Sequence, residues 1–570
     1  MNQLRNEFKT LVECIERLDL DGKNGITYIY GENNEKSIEY SSLFNGALKT
    51  LNILQKRGIS KGDKLILQIE KLEDFINVFW ACILGGIIPV PITIANTDEN
   101  RNKLSKINNV LKHAYYISST INIKRVQEFS KNEKRWELNE LVENRSIDLN
   151  EIYESSIAGQ IYRALPNDIA FIQFSSGSTG DPKGVVLTHE NLLTNIYAMI
   201  NCGKFSQVDA MLSWMPLTHD MGIIGFHLLP LVLNINQCIL PTDLFVRRPT
   251  LWLKKASEHK TSILGSSNFG YKHFLKTFKD DVNYKWNLSN VRLFFTGAEH
   301  ISAQLCDEFI DKIEKFGVNR NTIFTVYGLA EASLGVSFPC PGTGIKKVNL
   351  SRNCLSIGQR VMEVSENCGE GIQFVEVGKV IDDCSVRICD EENNVLDEKV
   401  LGYVHISGKN VTRKYFNNEE ANVNYISKDG WINTDDVGFF SNNSLTIVGR
   451  GREIILFNGQ SIYPHDIENV VEEIYLGMVV AVGVGNCNLN TQDVILFVRY
   501  KKPIETFFEL VLKLKEHVLK RTMIQIKQVI PIKQIPKTTS GKIQRYKLVE
   551  KYLNGEFIDI TNCLKIEYNI

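Results

Sequence analysis

No stretch of this 570-residue chain is an unbroken apolar run of membrane-spanning length. The nearest approach, residues 78–95, is interrupted by Gly85, Gly86, Pro89 and Pro91. It reads as a buried helix ending near Gly85, followed by a core strand through Ile88, Pro89 and Val90. Charge of one sign is also missing. The 65 Lys and Arg residues stand against 66 Asp and Glu, a formal net charge of −1. Nothing therefore argues for nucleic acid or an anionic membrane as the main partner. The 12 cysteines are scattered and form no C-x-x-C pair, which argues against a zinc site. A disulfide framework is not expected in a chain of this length. Residues 1–21 are charged throughout and lack the apolar core of a secretory signal, so a reducing cytoplasm is the expected compartment. Neither a Walker A loop nor a G-x-G-x-x-G turn occurs, and no long repeat or low-complexity tract is visible.

Hydrophobic content of 43% and charged content of 23% are those of a soluble globular protein, long enough for several domains. Helix-like and strand-like runs alternate from the start. Residues 43–57 fit an amphipathic helix, Gly62-Asp63-Lys64 a turn, 65–69 a strand and 75–84 a second helix; 96–106 reads as a loop with a helix cap. The rhythm continues with helices near 191–200 and 248–259 and strands near 261–264, 291–295 and 322–326. This alternation predicts an α/β fold, a parallel sheet with covering helices. Residues 339–379 break the rhythm and read as an irregular insertion with short strands. Short β-type runs at 385–389, 402–406 and 444–448 then suggest a smaller β subdomain. Gly449-Arg450-Gly451-Arg452 punctuates the chain, and the remainder suffices for a small α/β domain. The expected division is 1–449, a hinge at 450–452, and 453–570.

The most informative stretch is Ser175-Ser176-Gly177-Ser178-Thr179-Gly180-Asp181-Pro182-Lys183-Gly184. It follows the apolar run 169–174 and precedes Val185-Val186-Leu187, which reads as a strand end before a helix start. Such a loop suits a polyphosphate. Glycines let backbone N–H groups approach phosphate oxygens, hydroxyls donate further hydrogen bonds, and Lys183 supplies a cation. The alternative, a Ser/Gly linker, is at odds with the strand-like flanks.

The loop also resembles the phosphate loop of the adenylate-forming superfamily: acyl-CoA ligases, nonribosomal peptide adenylation domains, luciferases and fatty acyl-AMP ligases. Further segments match in order. Gly297-Ala298-Glu299 resembles the segment that contacts adenine, and Tyr327-Gly328-Leu329-Ala330-Glu331 the Y-G-x-x-E element. The resemblance implies that Tyr327 borders the base and that Glu331 holds Mg²⁺ with phosphate oxygens, as suits a hard cation. Thr434-Asp435-Asp436 resembles the T-G-D element, with Asp435 in place of glycine and Asp436 in the ribose-binding position. Gly449-Arg450 places Arg450 near the ribose, and Arg452-Glu453 falls at the family's hinge. Pro536-Lys537-Thr538-Thr539-Ser540-Gly541-Lys542 resembles the C-terminal lysine loop, making Lys542 the catalytic lysine. The implied reaction joins a carboxylate to the α-phosphate of ATP with release of pyrophosphate. It needs charge cancellation rather than a protein nucleophile.

Trp214-Met215-Pro216-Leu217-Thr218-His219-Asp220-Met221-Gly222 resembles the run found in fatty acyl-AMP ligases that load assembly lines. Ser267-Asn268-Phe269-Gly270-Tyr271, the segment from Asn458-Gly459 to Glu468, and the 339–379 insertion point the same way. Thr218, His219 and Asp220 would lie near the acyl site, with His219 also among the catalytic candidates. The departures are Thr218, where an aromatic residue is common, and Ser175, where threonine is. The branch implies ATP and Mg²⁺ as cofactors, a fatty or other carboxylic acid as substrate, and a separate acyl carrier protein as acceptor. No G-x-D-S-L stretch, the usual carrier attachment site, occurs in this chain. Alternatives are an acyl-CoA ligase and a non-catalytic nucleotide-binding relative.

Overall fold

The computed structural model describes residues 8–21, 24–176, 181–280, 282–366, 371–457, 460–485, 491–538 and 541–562. The αβ rhythm of the first half folds into two sheets. One has four parallel strands in the order Ile88–Pro91, Lys64–Gln68, Ala114–Ser118, Ser146–Asp148. The other has seven, in the order Ile323–Thr325, Leu293–Thr296, Ile263–Ser266, Met211–Ser213, Gln237–Ile239, Gly25–Ile29, Glu35–Glu39. Its pairs are parallel except the last, which is antiparallel. The apolar run that follows residue 71 is the buried helix Leu72–Gly85. Gly86 ends it in the left-handed region at φ 65°. No described helix is long and apolar enough to cross a membrane.

The Ser/Gly loop joins two antiparallel strands, β1 (Ile169–Ser176) and β2 (Pro182–Thr188). Thr188 then caps the helix His189–Cys202, its hydroxyl and the Asn191 amide bonding reciprocally to backbone N–H groups. After Trp214, residues Met221–Leu228 form a π-helix. Gly222 is needed there because a Cβ would lie 2.1 Å from the Pro216 carbonyl oxygen. Helix α1 (Asn268–Thr277) follows the strand Ile263–Ser266.

The β subdomain corrects one expectation. Residues 371–379 are not part of an irregular segment: β3 (Gly371–Val380) is a ten-residue strand inside an eight-stranded sheet. A register shift at Gly378, whose φ is +84°, interrupts the side-chain alternation that marks a strand in sequence. Among the described residues between 339 and 366, only Lys347–Ser351 is a strand of that sheet, and it pairs with β3. Beyond β3 come the short helix α2 (Glu419–Tyr425) and the paired strands β4 (Ile432–Ser441) and β5 (Ser444–Arg450).

From Ile455 onward the chain builds cores of its own. A three-stranded sheet, Val479–Val484, Asp493–Arg499 and Ile526–Ile532, packs with α3 (Pro464–Glu472) and the helices Phe507–Thr522 and Arg545–Leu553. Polar contacts hold this region to the rest. Arg352 donates to both carboxylate oxygens of Asp466 at 2.8 Å. Lys272 on α1 donates to Glu472 at 2.6 Å, and the Tyr463 hydroxyl donates to the Leu355 carbonyl at 3.0 Å.

Candidate active site

A cavity of about 1200 Å³ lies where the hairpin, the seven-stranded sheet, the β subdomain and the C-terminal region meet. Ser175, Lys183, Thr218, His219, Asp220, Ala298, Glu299, Tyr327, Gly328, Glu331, Asp436, Arg450, Arg452, Glu453 and Lys542 all line it. Segments from residue 175 to residue 542 are thus brought to one place. Gly297 lies off the wall, against Val326. Ser176 ends β1. Gly177, Ser178, Thr179, Gly180, Asn458, Gly459, Thr539 and Ser540 lie outside the described residues.

One corner is closed by hydrogen bonds. The Tyr327 hydroxyl donates to Asp436 Oδ2 at 2.7 Å, and Arg450 Nε donates to Asp436 Oδ1 at 3.1 Å. β4 and β5 set this pair, because Asp436 and Arg450 are direct cross-strand partners. Burial and the Asp436 charge push the Tyr327 phenol well above its ordinary pKa. Asp435 stands at φ 64°, the left-handed conformation that favours glycine and that aspartate tolerates. Its carboxylate is ion-paired with Arg452.

A second corner gathers Lys183 and Glu331. Residues 412–416 run beside β2, with the Phe416 amide donating to the Gly184 carbonyl at 2.8 Å. This places the Tyr415 hydroxyl to donate to Glu331 Oε1 at 3.0 Å. Desolvation raises the pKa of the half-buried Glu331 carboxyl, against the pull of Tyr415, Arg450 and Lys183. The Lys183 ammonium sits 3.6 Å from the centroid of the Tyr425 ring and 5.8 Å from that of Tyr415. A hard cation held on this carboxylate would complete its shell with phosphate oxygens and water.

Lys542 enters from the C-terminal region. The Thr538 amide donates to the Lys542 carbonyl at 2.8 Å, and the Lys542 amide to Thr538 Oγ1 at 3.0 Å. Gly541 holds φ +92°, and a Cβ there would touch the Phe269 ring of α1 at 3.3 Å. Burial, aided by the Arg450 charge, lowers the Lys542 ammonium pKa despite Asp220, Glu299 and Asp436. Glu299, which accepts from the Phe269 amide at 3.2 Å, is raised by burial. His219 Nδ1 lies 2.6 Å from Asp220 Oδ1. Burial raises the Asp220 carboxyl, but His219 and Lys542 hold it down at about 2.

An apolar stretch of wall is formed by Met221, Phe295, Val326, Leu334, Phe338, Val375, Val377 and Ile447. Phe295 packs edge-on to Phe324 and Phe338, with ring centroids 5.0 and 5.6 Å apart. Sequence reasoning missed Tyr415 and Tyr425, which lie on the wall beside Lys183. It gave no role to His300, which follows the Gly297-Ala298-Glu299 triplet, or to His465, inside the Asn458–Glu468 segment, although their rings stack at 3.9 Å on the same wall. Neither tyrosine belongs to a glycine-rich or charged motif; only long-range pairing reveals them.

Comparison with known proteins agrees with this geometry. The model of a family described as AMP-binding enzyme matches residues 22–416. A putative acyl-CoA synthetase of Caulobacter vibrioides is 28% identical over 568 residues, 97% of each chain. The medium-chain-fatty-acid–acyl-carrier-protein ligase JamA of Moorena producens is 25% identical, over 96% of each chain. A structure from studies of the fatty acyl-adenylate ligases of E. coli and L. pneumophila matches with a TM-score of 0.88 at 26% identity, covering 97% of this chain and 99% of that one. The chain belongs to the AMP-binding enzyme family, within the adenylate-forming superfamily of ligases.

Proposed function

We propose that this ligase activates a fatty or other carboxylic acid as its acyl-adenylate and passes the acyl group to the thiol of a separate, phosphopantetheine-bearing carrier protein. A carboxylate oxygen attacks the α-phosphorus of ATP, and the bond to the pyrophosphate oxygen breaks. The observation that carries this reading is the meeting of Lys542 with Asp436, Arg450, Glu331 and the apolar stretch around one cavity. Lys542 neutralises charge developing at the α-phosphate. Asp436 and Arg450 orient the ribose, with Tyr327, Ala298 and Glu299 bordering the base. Lys183 and the Ser/Gly loop hold the leaving phosphates. Mg²⁺ on Glu331 would supply further charge neutralisation among the phosphate oxygens. The apolar stretch offers a hydrocarbon tail a place free of charged side chains, with His219 and Asp220 near its carboxyl end. Arg452 and Glu453 serve as the hinge between the region carrying Lys542 and the rest.

A carrier acceptor is supported by the similarity to JamA, and coenzyme A by the similarity to the Caulobacter protein. The test is incubation with ATP and a mixed acid library, followed by mass spectrometry of the adenylates. Coenzyme A and a holo-carrier protein are then offered in parallel. Acyl-carrier formation with little acyl-CoA is the expected result; abundant acyl-CoA without a carrier reverses the acceptor, and no acid-dependent adenylate sinks the reading.

A further inference from the structure

One side chain touches both Lys183 and Arg452, and no role has yet been given to it. Tyr425 ends α2, half-buried on the cavity wall. The face of its ring lies under the Lys183 ammonium at 3.6 Å. Its hydroxyl accepts from Arg452 Nη2 at 3.4 Å, and the Arg452 guanidinium is 6.0 Å from the ring centroid. Arg452 is also tied to Asp435. The ring is not placed by chance. The Asn418 side chain caps α2 by accepting from the Ala421 amide at 2.9 Å. Asn422 then fastens the helix to the strand-like segment beside β2: its Oδ1 accepts from the Tyr415 amide at 2.7 Å, and its Nδ2 donates to the Tyr415 carbonyl at 3.2 Å. Because β2 carries Lys183 and is paired with this segment, the ring and the ammonium share one frame.

We propose that Tyr425 is a positioning residue that couples Lys183, at the phosphate end of the cavity, to Arg452, at the hinge. The inference rests on the proposed roles of those two residues. The ring face holds the ammonium by its quadrupole, so Lys183 is aimed before a polyphosphate arrives. The hydroxyl restrains Arg452, so the C-terminal region is held with Lys542 in the cavity. Burial raises the Tyr425 phenol, yet Lys183 and Arg452 more than offset this and lower it below its ordinary value. Both cations are thus felt by one phenol.

Two substitutions separate the ring from the hydroxyl. Tyr425→Leu removes both, and KM for ATP in ATP–pyrophosphate exchange is expected to rise about 5-fold with kcat within about 2-fold. Tyr425→Phe keeps the ring, and KM should stay within about 2-fold of the parent. Both variants lose the tie to Arg452, so acyl transfer from preformed adenylate, followed in a single turnover, should quicken about 3-fold. The double variant Lys183→Met/Tyr425→Leu should show no higher KM than Lys183→Met alone. The coupling is overturned if Tyr425→Leu leaves KM at the parent value, if Tyr425→Phe raises KM as much as Tyr425→Leu, or if transfer is as slow in both variants as in the parent. Lys183→Met keeps this separate from the underlying assignment. A parental KM in that variant sinks the phosphate role of Lys183 itself, whereas a raised KM there beside a parental Tyr425→Leu sinks only the coupling.

Discussion

Two sets of side chains on the cavity wall are prepared differently. In the Asp436 set, opposite charges and a hydroxyl already satisfy one another: Tyr327 and Arg450 each bond a different oxygen of one carboxylate. In the other set, burial drives Glu331 and Glu299 towards the protonated form and Lys542 towards the neutral amine. The first set is a holder built from a cross-strand pair. The second is a set of charges whose desolvation is not repaid within the protein. A ligand that is anionic and carries a cation would repay it. The contrast separates binding from chemistry: the satisfied set should govern affinity, and the unsatisfied set the rate.

That division breaks most visibly at Lys542. Lys542→Ala is expected to slow acyl-adenylate formation about 100- to 1000-fold, as for loss of one well-placed charge contact to a transition state. KM for ATP should change little. The measurement is adenylate accumulation by mass spectrometry, and adenylate formed at the parental pace would end the scheme. Asp436→Asn tests the satisfied set. It leaves Arg450 with a neutral partner, and KM for ATP should rise about 10-fold while kcat falls far less. If kcat falls as steeply as in Lys542→Ala, the two sets are not functionally distinct.

A third substitution asks whether the region carrying Lys542 moves relative to the rest of the wall. Arg452 lies in the 3-10 turn Gly451–Glu453, directly after β5. Proline fixes φ near −65° and narrows the conformations open to a hinge. Arg452→Pro should therefore slow acyl transfer about 10-fold, with ATP–pyrophosphate exchange within about 2-fold and melting within a few degrees of the parent. Both half-reactions running at the parental rate in this variant would remove the hinge from this position.

How far these features were legible in sequence follows from their range along the chain. The helix ending at Gly85 and the strand on each side of the Ser/Gly loop were readable, because glycines and apolar runs act within a few residues; the antiparallel pairing of those two strands was not. Strand β3 was not, because Gly378 shifts the register midway and spoils the alternation. Of the candidate site, Lys183, Glu331, Asp436, Arg450 and Lys542 were found through the order of their motifs, and the cavity gathers them. Gly297 was named with its neighbours, although only Ala298 and Glu299 of that triplet reach the wall. Tyr415 and Tyr425 had no local signal. Their places depend on pairing between β2 and a segment more than 200 residues away, which no window of sequence contains. Asp435 is the instructive intermediate case. The motif called for glycine, and the backbone there does adopt φ 64°, but the aspartate adds a carboxylate that pairs with Arg452.

The smallest effect concerns acidity, and its sign follows from the same contrast. Glu331 and Glu299 have folded-state pKa values above the ordinary glutamate value of 4.5. Below 4.5 both folded and unfolded chains hold these protons, and the stabilising contribution is intact. As pH rises through the raised values, the folded chain must ionise two desolvated carboxyls and that contribution is lost. Asp220, held at about 2, acts in the opposite sense: its contribution is present above the ordinary value of 3.8 and disappears as pH falls through 2. Melting temperature should accordingly decline on the alkaline side of its maximum by a few degrees, since one unit of pKa shift is about 1.4 kcal/mol. Glu331→Gln substitutes a neutral side chain of the same shape and should flatten that decline. Magnesium–ATP should stabilise the parent more as pH rises, because a cation on Glu331 favours the ionised form, and this pH dependence should shrink in Glu331→Gln. An unaltered slope in the variant would mean that the desolvated charge lies elsewhere on the wall, with Glu299 the next residue to replace.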